Sequence, residues 1–77
     1  MTAHRRHWLE RTGEALYGAR WQSELARDLD IADRTMRRWL GDPDTIPETI
    51  WPELLKLLAA RAASIAKLQR QLKNMSK

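Results

Sequence analysis

The sequence contains no cysteine. That absence excludes disulfide bonds and thiolate metal sites, and it is typical of proteins of a reducing, cytosolic compartment. A chain of 77 residues forms one domain at most. The core of so small a domain rarely supplies more than about 3–5 kcal/mol of stability. Association with a second chain is therefore the expected source of additional stability.

Long apolar runs and strand patterns are absent as well. No stretch approaches the roughly 18–20 apolar residues of a membrane span, and the N-terminus lacks the apolar core of a secretory signal. We therefore expect a soluble protein that is not exported. Because β-branched residues are scarce and no segment alternates apolar and polar residues, the sequence predicts an all-α fold.

Charge is unevenly distributed along the chain. The net charge is +4 and the isoelectric point is near 10.1, which makes an acidic partner plausible. Residues 42–53 carry four acids and no base, whereas residues 54–77 carry six bases and no acid. Such zoning favours specific charged faces over a uniformly cationic surface.

Helical spacing and turn residues divide the chain into segments. A first helix is predicted at about residues 5–17, ending at Gly18, with apolar residues at Trp8, Leu9, Ala15 and Leu16. The segment from Gly41 to Pro47 is rich in turn residues, and we expect Gly41 to form a left-handed helix cap.

The twenty residues 21–40 carry two short apolar stripes. Leu25, Ala26 and Leu29 form the first; Met36, Trp39 and Leu40 form the second. The phase changes between residues 30 and 32, which predicts two short helices joined by a tight turn. We expect Ala26 at their contact, Trp39 in the core and Trp21 packed at the entry to the first helix.

Residues 52–74 are predicted to form one long helix with Pro52 in its first turn; a start near Pro47 with a kink at Pro52 is the alternative. A heptad-like seam runs along it through Trp51, Leu54, Leu58, Arg61, Ile65, Leu68, Leu72 and Met75. We expect Arg61 to point outward, with Ala62 filling its place.

The two halves of this helix are assigned different roles. Its first turns are expected to close the core through Trp51, Leu54, Leu55 and Leu58. The later half has nothing left in the monomer to pack on, which predicts a homodimer with Leu58, Ile65, Leu68 and Leu72 in its interface. The alternatives are a helix folded back on the monomer or a solvated tail, and its bases could contact DNA flanks or an acidic partner.

Three arginines cluster on the second short helix. On a helical wheel, Asp33, Arg34, Arg37 and Arg38 share one arc, opposite Met36, Trp39 and Leu40. The planar guanidinium group of arginine can donate two hydrogen bonds to guanine O6 and N7 or to phosphate oxygens, and a helix fits the DNA major groove. An ordinary solvated face is the alternative interpretation.

The segment QSELARDLDIADRTMRRWL resembles the helix-turn-helix of Cro/cI-type phage and bacterial repressors. The similarity lies in Gln22 at the start of the scaffold helix, Ala26 at the helix contact, Leu29 and Ile31 beside the turn, and Met36 and Trp39 under the recognition helix. It spans residues 5–41. Two positions depart from the family pattern: Asp30 replaces the usual turn glycine, and Ala32 replaces the usual Ser or Thr cap.

The resemblance implies a role in DNA binding for individual residues. Base-reading positions of the family match Asp33, Arg34 and Arg38, and its phosphate-binding helix start matches Gln22. Asp33 either accepts a hydrogen bond from cytosine or orients Arg34 or Arg37. Further phosphate contacts are expected from Arg37 and Thr35 at the rim of the arc, and Arg20, Arg5, Arg6 and Arg11 are additional candidates.

No pattern of catalytic residues is recognisable, so we expect neither an enzyme nor a cofactor. His4 and His7 have the spacing of a metal pair but lack a third ligand, and no metal site is expected. The chain has no room for a small-molecule effector domain.

The predicted function is that of a sequence-specific DNA-binding repressor, dimeric and acting in the bacterial cytoplasm. We interpret residues 1–77 as a single domain with the helix-turn-helix at 21–40. The resemblance extends to autorepressors of phages and mobile elements. An antitoxin-like or adaptor protein acting through its C-terminal helix is the alternative; nonspecific nucleoid binding fits the modest net charge poorly.

Overall fold

The computed structural model describes residues 4–76 and confirms the all-α prediction. Within that range the chain forms four α-helices and no strand: α1 (Arg5–Tyr17), α2 (Trp21–Asp28), α3 (Asp33–Gly41) and α4 (Ile50–Met75). Single 3-10 turns, at Gly18–Arg20 and Pro43–Thr45, follow α1 and α3. The molecule is elongated, 51 × 24 × 19 Å, because α4 extends beyond the other helices.

Helix α1 ends where the sequence predicts. Gly18 has a φ of +82°, a left-handed value that glycine adopts without a steric penalty, and its N–H bonds back to the carbonyl of Glu14. Beyond the turn, the Tyr17 hydroxyl donates a hydrogen bond to the Asp28 carboxylate, which ties the end of α1 to the end of α2.

The connection between α2 and α3 is a four-residue turn with Asp30 at its centre. Asp30 has a φ of +58°, so aspartate here adopts the left-handed conformation that glycine usually supplies. The Asp30 N–H bonds to Arg27 O at 3.1 Å and the Ile31 N–H to Ala26 O at 2.9 Å, the two hydrogen bonds of a Schellman motif. Two short helices joined by a turn of this length form a helix-turn-helix.

The two ends of α3 depart from ideal capping. Ala32 has extended dihedrals and, within the described residues, no side chain caps the helix N-terminus there. At the other end, the expectation that Gly41 forms a left-handed cap is wrong: Gly41 is the last helical residue. The chain leaves the helix at Asp42, with φ −140°, because a residue before proline disfavours the helical region.

The core lies where α1, α2, α3 and the first turns of α4 meet. Its buried side chains are Leu9, Leu16, Trp21, Leu25, Ala26, Met36, Trp39, Leu40, Ile46, Ile50 and Leu54. Burial of Ala26, Trp21 and Trp39 confirms those three predictions. The indole of Trp21 lies directly on Gly13, where an added Cβ would fall 2.2 Å from a ring carbon. Glycine at position 13 therefore lets α1 and α2 approach closely.

Two of the apolar residues that the sequence places at helical spacing in α1 are exposed. Trp8 is 56% exposed and Ala15 also faces solvent, while Leu9 and Leu16 carry the packing of this helix. The apolar stripe of α1 is therefore narrower than the one predicted, since only one side of the helix meets α2 and α4.

Helix α4 begins at Ile50, two residues before the predicted start, and Pro52 lies in its first turn as expected. Leu54 is buried, and Trp51 and Leu58 pack against the core. Leu55 is 66% exposed, so its predicted place in the core is wrong, and Leu57 packs there instead.

Arg61 is exposed as predicted, but its guanidinium is bonded within the chain. Its Nη1 donates a 2.6 Å hydrogen bond to the carbonyl of Leu16, and its guanidinium lies 5.7 Å from the centroid of the Tyr17 ring. The last carbonyls of a helix lack intrahelical donors, so Arg61 satisfies one of them at the end of α1. We call residues 5–61 the head and residues 62–75 the tail.

The tail is a single helical rod beyond the head. Its large apolar side chains are 52–80% exposed: Ile65, Leu68, Leu72 and Met75. No helix described between residues 4 and 76 is both long and apolar enough to cross a membrane.

Candidate nucleic-acid interface

Helix α3 has one buried face and one charged face. Met36 and Trp39 are 1% and 4% exposed, and they fix the orientation of the helix on the core. Asp33, Arg34, Arg37 and Arg38 are all exposed on the opposite side. The predicted arc therefore exists as a surface, which we call the arginine face.

The arginines of this face have no partner among the residues that the structure describes. Among residues 4–76, Arg34, Arg37 and Arg38 form neither an ion pair nor a side-chain hydrogen bond, whereas Arg5, Arg6, Arg27 and Lys56 each pair with a carboxylate. Three unpaired guanidinium groups on one short helix concentrate positive potential at the surface and leave their donors available to an anionic partner.

Asp33 belongs to the same face. Within the described residues its carboxylate forms no ion pair with Arg34 or Arg37, and both of its predicted roles, orienting these arginines or accepting from cytosine, stay predictions. As the first residue of α3, Asp33 interacts favourably with the positive end of the helix dipole. That interaction partly offsets the missing cap at Ala32.

The start of α2 lies beside the arginine face. A small cleft of about 70 Å³ is lined by Gln22 and Ser23 from α2 and by Asp33, Met36 and Arg37 from α3. Gln22 and Arg37, two predicted phosphate contacts, thus meet at one place. The first N–H groups of α2 have no intrahelical acceptor, which favours an anion at this end of the helix.

Sequence analysis missed Ser23. Its hydroxyl adds a hydrogen-bonding group to the rim of the cleft. The available indication was its place next to Gln22 in the first turn of a scaffold helix.

The other two predicted phosphate contacts, Arg20 and Thr35, do not line this cleft. Arg20 is exposed in the 3-10 turn before α2 and does not line the cleft. Thr35 is half-buried at the rim of the arginine face. Both remain candidates for the backbone contacts that position a protein on DNA.

Two of the three arginines of α1 interact with groups inside the protein. Arg5 donates a 2.8 Å hydrogen bond to Ile46 O and forms an ion pair with Glu48, so it fastens the loop before α4. Arg6 pairs with Glu10 at 3.4 Å. The prediction that Arg5 contacts phosphate is therefore replaced by a structural role, while Arg11 is exposed.

The histidines form no metal site that the structure displays. His7 lies edge-on to Trp8, with ring centroids 4.8 Å apart. Across residues 4–76, no group of three or more His, Asp or Glu side chains is placed to hold a metal ion.

The predicted dimer residues lie along α4. Leu58 packs partly against the head, and Ile65, Leu68 and Leu72 are exposed on the tail. An apolar surface of this kind is a typical feature of a protein-protein contact.

No family model, curated protein or solved structure matches the chain. The resemblance to Cro/cI-type repressors therefore stays a prediction that rests on the residues of α2 and α3.

Proposed function

We propose that this protein is a sequence-specific DNA-binding transcriptional regulator, a dimeric repressor of the Cro/cI type. The observation that carries the proposal is the arginine face. Arg34, Arg37 and Arg38 are exposed and unpaired among the described residues, on a helix whose other side is locked into the core. Rigid presentation of several guanidinium groups by one helix suits the major groove of DNA.

The proposed contacts divide into base reading and backbone positioning. Arg34 and Arg38 read guanine O6 and N7 through two hydrogen bonds each, and Asp33 accepts from cytosine N4. Gln22, Arg37, Thr35 and Arg20 bind phosphate oxygens on either side. The cleft shared by Gln22 and Arg37 supports this division, because it brings a scaffold-helix residue next to the recognition helix.

Two copies of the recognition helix are needed for a specific site, since one helix reads only a few base pairs. A two-fold dimer would read an inverted repeat with half-sites centred about 34 Å apart, one turn of DNA. Bound over a promoter in the bacterial cytoplasm, it would block transcription sterically. Autorepression of a phage or mobile-element operon is the setting that the sequence resemblance implies.

Selection of bound DNA from a random pool tests the proposal directly. We expect enrichment of one short inverted repeat, bound about 10³-fold or more tightly than random DNA at physiological salt. Enrichment of no sequence, or equal affinity for all DNA with a steep salt dependence, would rule out a specific regulator.

Variants of the arginine face make the test residue-specific. Arg34→Ala and Arg38→Ala should each remove about 1–3 kcal/mol of discrimination between the selected site and a site changed at the contacted base. Arg27→Ala is the matched control, because Arg27 is an exposed arginine of α2 that pairs with Glu24. It removes the same charge and should leave discrimination intact, with helical circular dichroism unchanged in all three variants.

A second candidate function is an adaptor or antitoxin-like protein that acts through its C-terminal helix. The exposed leucines of the tail favour it, since they would suit a helix or groove of another protein. The same DNA selection distinguishes the two functions, because an adaptor would enrich no sequence.

A further inference from the structure

Helix α4 carries a second apolar stripe, displaced from the seam that the sequence predicts. The predicted seam passes through Leu54 and Arg61. Leu54 is buried in the core, and Arg61 donates a hydrogen bond to the end of α1. The other stripe alternates four and three residues apart, through Trp51, Leu55, Leu58, Ala62, Ile65 and Leu72, with the polar Gln69 as an interruption. Trp51 and Leu58 are half-buried against the core, and the other members are exposed. Alternating spacing of this kind, along one side of a helix, is the pattern of a coiled-coil contact. We call it the free stripe.

In the head, the free stripe forms one wall of an apolar groove. The groove lies between α1 and α4, has a volume of about 440 Å³, and is lined by Trp8 and Thr12 on one side and Trp51, Leu55 and Leu58 on the other. Trp8 and Leu55 are 56% and 66% exposed. The most exposed large apolar side chains of the described head thus face a single depression.

We propose that this groove receives the tail of a second copy of the chain, so that two α4 helices pair antiparallel about a two-fold axis near residue 63. The proposal rests on the dimer of the proposed function and adds its orientation and its contact surface. Each tail lies on the other copy's groove, and the contact is made twice.

The register of the free stripe supports antiparallel pairing. With the axis between Ala63 and Ser64, Leu55 lies opposite Leu72 of the second copy, and Ala62 lies opposite Ile65. Ala62 lies at the crossing point on the contacting side and Ala59 and Ala66 flank it, whereas Ala60 and Ala63 face away. Small side chains there let the two helix backbones approach closely, while the larger side chains pack toward both ends.

Exposed apolar surface gives a second argument. Among the described residues, the large apolar side chains that remain exposed are two on the head, besides Ile65, Leu68, Leu72 and Met75 on the tail. Antiparallel pairing on the free stripe covers Trp8 and Leu55 of one copy with Ile65 and Leu72 of the other, while Leu68 and Met75 lie to the side of the contact. Parallel pairing of the tails would leave Trp8 and Leu55 in solvent.

Charge provides the third argument. The six bases of residues 54–77 have no acid among them, whereas four acids lie at residues 42–53. In parallel pairing, Lys73, which flanks the free stripe, would lie beside its own copy, within the screening length of about 10 Å at 0.1 M salt. Antiparallel pairing separates the two copies of Lys73 and carries each toward the start of the other α4, next to the acidic segment 42–53.

Single cysteines test the orientation without background, because the chain has none of its own. A Leu55→Cys chain and a Leu72→Cys chain are purified, mixed under mild oxidation and compared with each chain alone. We expect a disulfide-linked dimer in the mixture. Crosslinking should be about a thousandfold faster than between unpaired chains at micromolar concentration, since paired thiols reach millimolar effective concentrations.

A mixture of Lys67→Cys and Leu55→Cys is the control, because Lys67 lies on the opposite side of α4 from the free stripe. It gives the rate of crosslinking by random collision. Rapid self-crosslinking of Leu72→Cys alone would mean parallel pairing and would overturn the proposal. A mixture of Leu55→Cys and Leu72→Cys that crosslinks no faster than this control would overturn it as well.

A second pair of variants tests the contact surface by sedimentation. Ala62 and Ala60 are both exposed in the single chain, but only Ala62 lies on the free stripe. Ala62→Glu should produce monomers and Ala60→Glu should remain dimeric, both with unchanged helical content. Equal behaviour of the two variants, or a monomeric parent chain at micromolar concentration, would contradict the proposal. Crosslinking without enrichment of any DNA would preserve the pairing and reject the regulator function.

Discussion

The two halves of α4 have apolar residues at similar spacing but lie in opposite surroundings. In the head, Ile50 and Leu54 are 7% and 3% exposed; in the tail, Ile65 and Leu72 are 52% and 55% exposed. The difference does not arise from the helix itself, since helical periodicity continues through both. It arises from length, because α4 spans about 39 Å at 1.5 Å per residue and α1 covers only its first part.

Arg61 marks the boundary between head and tail. Its hydrogen bond to Leu16 O is made at the last turn of α1, and beyond this level α4 has no described neighbour. Amphipathic character in a helix therefore indicates that a contact exists without indicating which chain supplies it.

Truncating one leucine in each region should give the largest contrast. Leu25→Ala removes a side chain that is fully buried in the head and should cost about 2–5 kcal/mol of unfolding free energy at every protein concentration. Leu72→Ala in the tail should show a loss that disappears on dilution, because it weakens only association. Urea unfolding at several protein concentrations measures both, and a loss for Leu72→Ala that persists on dilution would contradict a free tail.

The boundary between the regions can be tested through Arg61. Arg61→Met keeps much of the side-chain length but removes the charged donor to Leu16 O, so we expect a loss of about 1–2 kcal/mol in unfolding free energy. Lys67→Met, six residues further on, removes the same charge without a described partner and should change stability by less than about 0.5 kcal/mol. Equal losses in the two variants would mean that Arg61 does not fasten α4 to α1.

An effect confined to alkaline pH is expected at Tyr17, on the head side of the boundary. Burial and the adjacent Asp28 carboxylate raise the pKa of Tyr17 from 10.0 to about 12. The folded state thus holds this proton more tightly than the unfolded state, and the associated stability is complete below pH 10 and lost as the pH rises toward 12. Tyr17 is the only tyrosine, so its ultraviolet absorbance reports the ionisation. Tyr17→Phe should lack this part of the pH dependence, and an ordinary tyrosine titration would refute the assignment.

Much of the head could be predicted because its helix boundaries and buried faces depend on residues that are close together in the sequence. Gly18 after an apolar stripe, the phase change at Asp30 and the proline-rich segment 43–47 place the helix boundaries within a few residues. The burial of Met36 and Trp39 follows from their spacing, and so does the arginine face on the other side of α3. These features depend on backbone preferences and helical period, which the sequence contains directly.

Contacts between distant segments could not be predicted in the same way. The wheel of α1 places Trp8 with its apolar residues, yet the side chain lies at a groove that only the position of α4 creates. The exposure of Leu55 has the same origin. Arg5 and Arg61 are basic residues without a local partner, and each reaches an acceptor more than forty residues away.

The sequence by itself determined the four helices, the turn at Asp30 and the apolar and charged sides of α3, because these follow from short-range sterics and the helical repeat. Only the tertiary structure decided which of two overlapping stripes on α4 is free in the head, whereas in the tail Leu68 and Met75 of the predicted seam are exposed as well. Leu54 is buried in the core and Arg61 donates a hydrogen bond to Leu16 O, whereas Leu55 and Ala62 lie on the surface without such contacts. The two stripes share Trp51, Leu58, Ile65 and Leu72 and have the same spacing, so the sequence pattern does not distinguish them. The angle at which α4 meets α1 does.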